Sequence, residues 1–480
     1  MPANIRDQTK DQERLDALIA ALRAGRGGEA LALAEAAVAE GLQHPLPLQL
    51  VAMARQQQGR FDEARVLYRR VLDVDPARVE ALFSLARLAV ETGDWDEADT
   101  LAARLARLGA DRPDAGWLAA RIALGRGDLA AAEAGAARLA ANAGLNPEQR
   151  AEALLLRAEA LDGLGRTAEA FRDAVDGKAI QGRLHAGRAA GREAETDKLN
   201  RLAAWFRTTD PDAWRATPAA APIAGEARTH VFLVGFPRSG TTLLEQLLAG
   251  HPEVRTLEEA PTLAGAYAEF LRAPEGLQRL ARLPAAEADR WRARYWAEVA
   301  ARGVDAGGRV FLDKAPAGTL YLPLIARLFP AARVLFAIRD PRDVVLSCLR
   351  NNFQMNAMTY EFTSLQTTAA CYAACMTMAG VYRGVLPLDL YETRHEALVE
   401  RFDAELAGLC AFLGLGIDPA MADVGRTAAG RSIRTPSADQ VRAGLNRRGL
   451  GRWRAYESEL APIMPTLAPW IERFGYGAAG

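Results

Sequence analysis

The sequence predicts two parts: an N-terminal all-α solenoid of helical repeats, and a C-terminal α/β domain with a parallel sheet and a phosphate loop. Three observations support this division. The first 200 residues are rich in Ala, Leu, Arg and Glu and have almost no strand signals. A glycine recurs in that half at intervals of 34 residues. From His230 onward, short apolar runs alternate with helical stretches.

Length and charge limit the possible functions. A chain of 480 residues exceeds the size of one hydrophobic core, so two or more domains are expected. A formal net charge of −1 argues against nucleic acid or an anionic membrane held by bulk charge. The segment Met1 to Asp16 lacks the apolar core of a signal peptide, and no run of about 18 apolar residues follows. We therefore expect a soluble cytoplasmic protein whose anion sites are local.

The repeat is carried by evenly spaced glycines. Gly25, Gly59, Gly93 and Gly127 are 34 residues apart, and Gly165 continues the series after a slightly longer step. An Asp-Pro and an Asn-Pro dipeptide fall where one helix pair should give way to the next. A 34-residue period with glycine between two helices resembles tetratricopeptide repeats. That resemblance implies stacked helix pairs whose concave surface serves peptide or protein binding, or self-assembly.

A change of composition separates the two parts. The predicted parts are repeats at residues 1–205, a linker at residues 206–229 and an α/β domain at residues 230–480. The linker is rich in Pro, Ala, Thr and Gly, although Phe206 and Trp214 indicate that it packs against something. A fragment that begins near Thr229 is therefore expected to fold and to bind a nucleotide without the repeats.

The α/β domain is predicted from four apolar runs, Val231–Val234, Val310–Leu312, Val334–Ile338 and Leu386–Tyr391. Their alternation with helical stretches indicates a mostly parallel sheet with helices on both faces. Ligands on such sheets bind at the carboxyl ends of the strands. Residues that follow these runs are therefore the candidates for a functional site.

The first candidate is the segment Gly235 to Thr242, which joins a predicted strand to a helix that begins near Thr241. Two glycines five residues apart, followed by a hydroxyl residue, form the frame of a phosphate-cradling loop. Its backbone N–H groups and the helix N-terminus attract an anion. Thr241 stands where a nucleoside-triphosphate loop has lysine, and a cation appears earlier, at Arg238. This difference indicates another transferred group.

The second candidate follows the predicted strand Val334–Ile338. Arg339 stands at the strand end, Pro341 suits the first turn of a helix, and Ser347 would lie two turns along that helix. The guanidinium of Arg339 can hold a phosphate with two parallel hydrogen bonds, and Ser347 can add a neutral donor.

The two segments resemble the nucleotide-binding motifs of sulfotransferases, which use 3′-phosphoadenosine 5′-phosphosulfate as donor. The first is similar to their 5′-phosphosulfate loop and the second to their 3′-phosphate motif. A third segment, Arg434 to Arg442, looks like a region in which a serine contacts the donor. Basic residues near Gly449 resemble the lid over the 3′-phosphate. The resemblance implies donor contacts from Arg238, Ser239, Gly240, Thr241, Thr242, Arg339, Ser347 and Ser437, with Arg447 and Arg448 in the lid.

The catalytic residues come from a resemblance to tyrosylprotein sulfotransferases. The segment His251 to Glu259 matches that family without a gap from Arg238, which gives Glu259 the role of base and leaves Glu258 structural. Charge alone does not distinguish the two glutamates. Lys314, after the run Val310–Leu312, is placed as a cation for the leaving oxygen. Arg238 is the other catalytic cation that the resemblance implies.

Three functions fit the sequence. The first is a sulfotransferase acting on an acceptor hydroxyl, for which a protein tyrosine is one candidate. The second is a kinase-like enzyme, which Thr241 disfavours. The third is a repeat scaffold protein with an inactive nucleotide-binding domain. A metal cofactor is not expected, because the five histidines are scattered and the four cysteines lack zinc spacing.

Overall fold

The computed structural model of the chain divides into two compact units, the first ending at Gly165 and the second beginning at Arg166. The described residues are 2–58, 60–109, 112–215, 221–273, 275–429, 444–447 and 449–477. None of the helices in these ranges combines the length and the hydropathy that a membrane span requires.

The first unit is built from helices. They are α1 (Pro2–Arg23), α2 (Gly27–Ala39), α3 (Pro45–Gln57), α4 (Phe61–Val74), α5 (Val79–Thr92), α6 (Trp95–Arg107), α7 (Pro113–Gly125), α8 (Leu129–Ala141) and α9 (Pro147–Gly163). Each helix turns an apolar stripe inward; on α5, for example, Leu82, Leu85 and Ala86 are buried at three- and four-residue spacing. Stacked pairs bury stripes that a single helix would leave in water.

The repeated glycines lie at the turns inside the helix pairs. Gly25, Gly93, Gly127 and Gly165 have φ angles of 69°, 77°, 80° and 77°. This left-handed backbone strains any residue that carries a Cβ atom, so glycine is favoured at each turn. Gly59 lies outside the described residues. The predicted helical repeat is confirmed, and its period reflects one such turn in each pair.

The second unit contains a five-stranded sheet in which each strand pairs in parallel with its neighbours. The strands are β1 (Thr229–Gly235), β2 (Val254–Glu258), β3 (Val310–Lys314), β4 (Arg333–Ile338) and β5 (Asp389–Arg394), in the order β2-β3-β1-β4-β5. The central strand β1 is buried from His230 to Gly235, as a strand with a layer on each face must be.

Helices surround this sheet in the second unit. They are α10 (Thr167–Ala189), α11 (Glu195–Thr208), α12 (Asp212–Arg215), α13 (Thr241–Ala249), α14 (Ala264–Phe270), α15 (Gly276–Ala281), α16 (Ala285–Ala301), α17 (Leu322–Leu328), α18 (Pro341–Arg350), α19 (Ala357–Tyr360), α20 (Leu365–Val385), α21 (His395–Glu400), α22 (Phe402–Leu413), α23 (Val424–Ala429), α24 (Glu457–Leu460) and α25 (Met464–Arg473). Short 3₁₀ turns are Pro316–Tyr321, Glu361–Thr363, Pro419–Ala422, Arg452–Tyr456 and Ala461–Ile463.

The predicted parallel sheet is confirmed, with two differences in its strands. The last strand begins at Asp389 rather than Leu386, because helix α20 continues to Val385 and the Leu386 N–H still bonds back to the Tyr382 carbonyl at 2.7 Å. Strand β2 was not predicted. It is a short edge strand that is only half-buried after its first residue, so it lacks the apolar run that marks the other strands.

Helices α10 and α11 belong to the second unit. Leu202 and Phe206 of α11 are buried in the same core as Phe232 of β1. The ring of Phe206 lies 4.7 Å from that of Tyr382 on α20 and 5.0 Å from that of Trp214 on α12. The limits at residues 205 and 230 stay predictions. The packing of α11 argues that the chain from Arg166 onward folds with the sheet.

Candidate active site

The candidate residues lie at or just after the carboxyl ends of three strands, at one edge of the sheet. The register places Leu233 of β1 beside Lys314, and Gly235 beside Ala337 of β4. Lys314 therefore ends β3 next to the loop that follows β1, and Arg339 comes just after β4. Because all three strands run in the same direction, their carboxyl ends meet at this edge.

The loop after β1 turns on two residues with left-handed backbone. Arg238 has a φ of 73°, and Gly240 has a φ of 91° immediately before α13 begins at Thr241. A Cβ atom on Gly240 would lie 2.6 Å from His395 Nδ1, so no other residue fits there. Such turns direct successive backbone N–H groups into a concave surface that suits an anion. The predicted strand–loop–helix junction is confirmed.

Arg238 connects the two predicted motifs. Its Nε donates a hydrogen bond of 2.9 Å to the Ser347 hydroxyl on α18. Its carbonyl accepts one of 3.2 Å from Nη1 of Arg339. Asn351, one turn after Ser347, donates its Nδ2 to the Ser347 carbonyl at 2.7 Å. Segments about a hundred residues apart in the sequence thus meet at one point.

The guanidinium of Arg339 is held from two sides. Its Nη2 donates to the Gly449 carbonyl and lies 3.9 Å from a carboxylate oxygen of Asp343. Asp343 also accepts the N–H groups of Gly451 and Trp453, at 2.8 Å each. Burial raises the pKa of Asp343 to about 6, against the opposing effect of Arg339. The segment after Gly449 is therefore fastened to α18 beside Arg339.

His395 closes the other side of the loop. It begins α21 directly after β5, and it is buried against Gly240. Burial, followed by the nearby charges of Arg339 and Arg238, lowers the pKa of His395 to about 3. The imidazole is therefore neutral at physiological pH. Its Nδ1 has no hydrogen-bond partner within the described part of the chain.

Lys314 lies among three carboxylates. Its Nζ is 2.8 Å from Glu258, 3.1 Å from Glu259 and 3.4 Å from Glu245 of α13, and the side chain has no exposed surface. Burial by itself would lower the pKa of Lys314. The carboxylates of Glu245, Glu259 and Glu258 outweigh that effect and raise the pKa above its usual value, so Lys314 is a permanent cation.

The two adjacent glutamates differ in exposure and backbone. The side chain of Glu258, the last residue of β2, is 13% exposed, whereas that of Glu259 is 44% exposed. Glu259 has a φ of 47°, and its N–H donates to the Lys314 carbonyl at 2.8 Å. Left-handed backbone at a residue with a long side chain is strained, and such strain concentrates at functional sites.

The other residues predicted to contact the donor fall into three groups. Ser239, Thr241 and Thr242 are buried in the loop and the first turn of α13. Ser437 and Arg448 lie outside the described residues. Arg447 is exposed and lies 3.7 Å from Glu400.

Sequence reasoning missed Glu245 and His395. Glu245 is on the helix that follows the loop, and its four-residue spacing from Thr241 could have indicated that it faces the same side. His395 follows a strand whose end was placed at Tyr391, three residues before its end at Arg394. A correct strand end would have put the histidine at the binding edge of the sheet.

The residues at this edge fit an anionic nucleotide. Nε of Arg339 and Nδ1 of His395 are buried without a hydrogen-bond partner among the described residues, and both lie beside the loop. Buried polar atoms are normally satisfied, so these two atoms indicate a ligand with acceptor groups. Within the same described ranges, no three His, Cys, Asp or Glu residues are arranged to hold a metal ion.

Comparison with protein families gives two matches. Residues 230–419 match the model of a sulfotransferase family, and residues 55–122 match a tetratricopeptide repeat. The first match contains the loop, Lys314, Arg339 and His395. The second lies within the helices of the first unit.

Curated relatives are similar to part of the chain. An uncharacterized protein of Aquifex aeolicus is 28% identical over 50% of this chain and 32% of its own length. Nodulation protein NoeE of Sinorhizobium fredii is 29% identical over 39% of this chain and 50% of its own. Protein-tyrosine sulfotransferase A of Caenorhabditis elegans is 25% identical over 51% of this chain and 67% of its own. The chain thus spans half or less of the first two relatives. The chain therefore contains a tetratricopeptide-repeat region and, at residues 230–419, a sulfotransferase-family domain.

Proposed function

We propose that this protein transfers a sulfuryl group from 3′-phosphoadenosine 5′-phosphosulfate to an acceptor hydroxyl, and that the acceptor is a protein tyrosine. The observation that carries the proposal is the junction of Arg238, Ser347 and Arg339 beside the paired Lys314 and Glu259. In this proposal, the residues at this edge of the sheet supply groups for both ends of the donor, a cation for the leaving oxygen and a base.

The donor would lie along the carboxyl ends of the strands. The backbone N–H groups of Ser239 to Thr242 and the N-terminus of α13 suit the 5′-phosphosulfate. Arg339 and Ser347 suit the 3′-phosphate, because Arg339 can offer a planar fork once its contact with the Gly449 carbonyl is exchanged. Arg238 reaches from the loop to Ser347 and would bridge the two ends of the nucleotide.

In the reaction, the acceptor oxygen forms a bond to sulfur as the bond from sulfur to the phosphate oxygen breaks. The acceptor proton passes to the carboxylate of Glu259, and adenosine 3′,5′-bisphosphate leaves with the electron pair of the broken bond. Lys314 stabilises the charge that develops on the leaving oxygen. Its ammonium lies 3.1 Å from Glu259, so the base and this cation are held together.

The acceptor class rests on two supports. One relative carries the name protein-tyrosine sulfotransferase, and it is 25% identical over 51% of this chain. The helical repeats give a second support, since stacked helix pairs commonly present a surface for peptides.

The four cysteines are free and buried, which suits a reducing compartment, so we place the reaction in the cytoplasm.

Calorimetry would test the donor, and isotope transfer would test the acceptor. We expect adenosine 3′,5′-bisphosphate to bind far more tightly than ATP with Mg²⁺, because ATP lacks a 3′-phosphate for Arg339. Donor labelled with ³⁵S should label tyrosine in an acidic tyrosine peptide, and the matching phenylalanine peptide should stay unlabelled. Equal affinity for the two nucleotides would remove the proposed donor. Label on neither peptide but on a lysate glycan would remove the proposed acceptor.

A further inference from the structure

Lys178 is a buried cation outside the predicted site. It lies in α10, has no exposed surface, and its Nζ has no hydrogen-bond partner among the residues that the structure describes. The ring of Phe353 lies 5.3 Å from Nζ. Burial lowers the pKa of Lys178 to about 8, so the amine is still mainly protonated at neutral pH. A buried charge without a counter-ion is costly, and proteins keep few of them.

The charge of Lys178 acts on a residue next to Ser347. The thiol of Cys348, the residue after Ser347, donates to the Pro237 carbonyl at 3.6 Å. Burial raises the pKa of this thiol to about 12, and Arg238, Lys178 and Arg339 each oppose the rise. All three cations therefore act on the same thiol, at the start of the third turn of α18.

The position of α10 beside this point is fixed by a hydrogen bond. Gln181 lies one turn after Lys178, and its Nε2 donates to Oδ1 of Asn352 at 2.8 Å. Lys178 and Gln181 thus lie on the face of α10 that meets the chain after α18. Asn352 directly follows Asn351, which donates a hydrogen bond to the Ser347 carbonyl. A shift of this face of α10 would therefore move the Lys178 ammonium relative to the donor motifs.

Carboxylates near Arg339 are already engaged by other groups. Asp340 accepts Nε and Nη2 of Arg342 at 2.9 and 2.7 Å. Asp343 accepts two backbone N–H groups of the segment after Gly449 and faces Arg339. Among the described residues, Nζ of Lys178 is hydrogen-bonded to neither carboxylate, so its charge can pair with a bound anion.

We infer that Lys178 supplies a further cation to the donor site and that its counter-ion is the 3′-phosphate of the nucleotide. The inference rests on the proposed function. Between the two ends of the donor, the 3′-phosphate is favoured because a phosphate monoester approaches two negative charges at neutral pH. It is also favoured because Cys348, the thiol on which the charge of Lys178 acts, directly follows Ser347 in α18. Residue 178 precedes the family-matched segment 230–419, so this contact would come from a helix that the family model does not include.

The test is Lys178→Met in the full chain, a change that keeps the length of the side chain and removes its charge. Calorimetry would compare adenosine 3′,5′-bisphosphate with adenosine 5′-phosphate. We expect the bisphosphate Kd to rise at least about tenfold, as for the loss of a charge-assisted contact, and the 5′-phosphate Kd to change less than about twofold. The Tm without ligand should stay equal or rise, because an unpaired buried charge has been removed.

Lys198→Met is the matched control, since Lys198 lies on the next helix and is paired with Glu195 at 2.6 Å. Both nucleotides should bind this variant as they bind the wild type. An unchanged bisphosphate Kd in Lys178→Met would overturn the inference, and so would a parallel loss for both nucleotides. If the wild type itself failed to bind the bisphosphate, the proposed function would fall and this inference with it.

Discussion

Glu258 and Glu259 touch the same lysine and yet are suited to different tasks. The side chain of Glu258 is mostly buried at the end of β2 and lies closest to Lys314, so it compensates the buried charge of the lysine. Glu259 has strained backbone and an exposed carboxylate, and so it can reach an acceptor in solvent. Removal of the Glu258 charge should therefore disturb Lys314, whereas removal of the Glu259 charge should disturb proton transfer.

Glu259→Gln tests this division at the residue scale. The amide keeps size and hydrogen bonding but cannot take a proton, so we expect kcat to fall at least about a hundredfold. The Kd for adenosine 3′,5′-bisphosphate should stay near the wild-type value, because no donor contact is removed. Glu258→Gln is the control and should retain much more activity. Wild-type turnover in Glu259→Gln, with any acceptor that is sulfated, would assign the base to another residue.

His395 predicts a pH dependence of stability. Its pKa is lowered to about 3 in the native protein, whereas the unfolded chain has the usual value near 6.5. Between these values the unfolded state binds more protons, so His395 makes the free energy of unfolding fall as the pH decreases. From pH 7 to pH 5 this loss is about 2 kcal/mol.

Urea unfolding of His395→Gln would measure the effect. The variant should lose about 2 kcal/mol less than the wild type between pH 7 and pH 5. Asp313 and Asp343, whose pKa values burial raises to about 6, act in the opposite direction, but they are present in both proteins and cancel in the comparison. An identical pH dependence of the two proteins would mean that His395 is charged in the native state.

At the scale of single elements, the turn glycines of the repeats can be separated from glycines within helices. Gly127 has a φ of 80°, and a Cβ atom there would meet nothing within 4 Å, so Gly127→Ala tests backbone strain alone. We expect a loss of about 1–2 kcal/mol. Gly28 lies in α2 with equal space around it, and Gly28→Ala should be neutral or stabilising by up to about 1 kcal/mol. Equal effects in chemical denaturation would contradict the explanation of the repeat.

The same contrast between elements explains what the sequence could predict. The repeat could be predicted from the sequence because its turns favour glycine. The loop could be predicted because an anion-binding loop needs glycine and hydroxyl residues at fixed spacing. Strand β2 and the end of β5 could not be predicted from the sequence, since half-buried strands have no continuous apolar run. Glu245 could have been predicted from its spacing to Thr241, whereas the position proposed for Lys178 depends on tertiary packing, which leaves no local pattern in the sequence.

At the scale of the whole molecule, the question is where the catalytic half begins. A start at Thr229 follows the change in composition, but it removes α11 and α12. The cut would expose the core faces that Leu202, Phe206 and Trp214 now cover, and large apolar side chains contribute about 1.5–3 kcal/mol each when fully buried. Their sum is a large share of the stability of a typical domain.

We therefore expect residues 166–480 to form a soluble fragment that binds adenosine 3′,5′-bisphosphate with the affinity of the full chain. Residues 229–480 should be insoluble or should unfold at a much lower temperature. Both fragments lack the first unit, so the comparison isolates α10 to α12, and circular dichroism with calorimetry would measure it. A stable 229–480 fragment with full affinity would show that the composition change marks the true boundary. A fragment that folds but binds the bisphosphate weakly would instead locate the missing contact on α10, where Lys178 is the candidate.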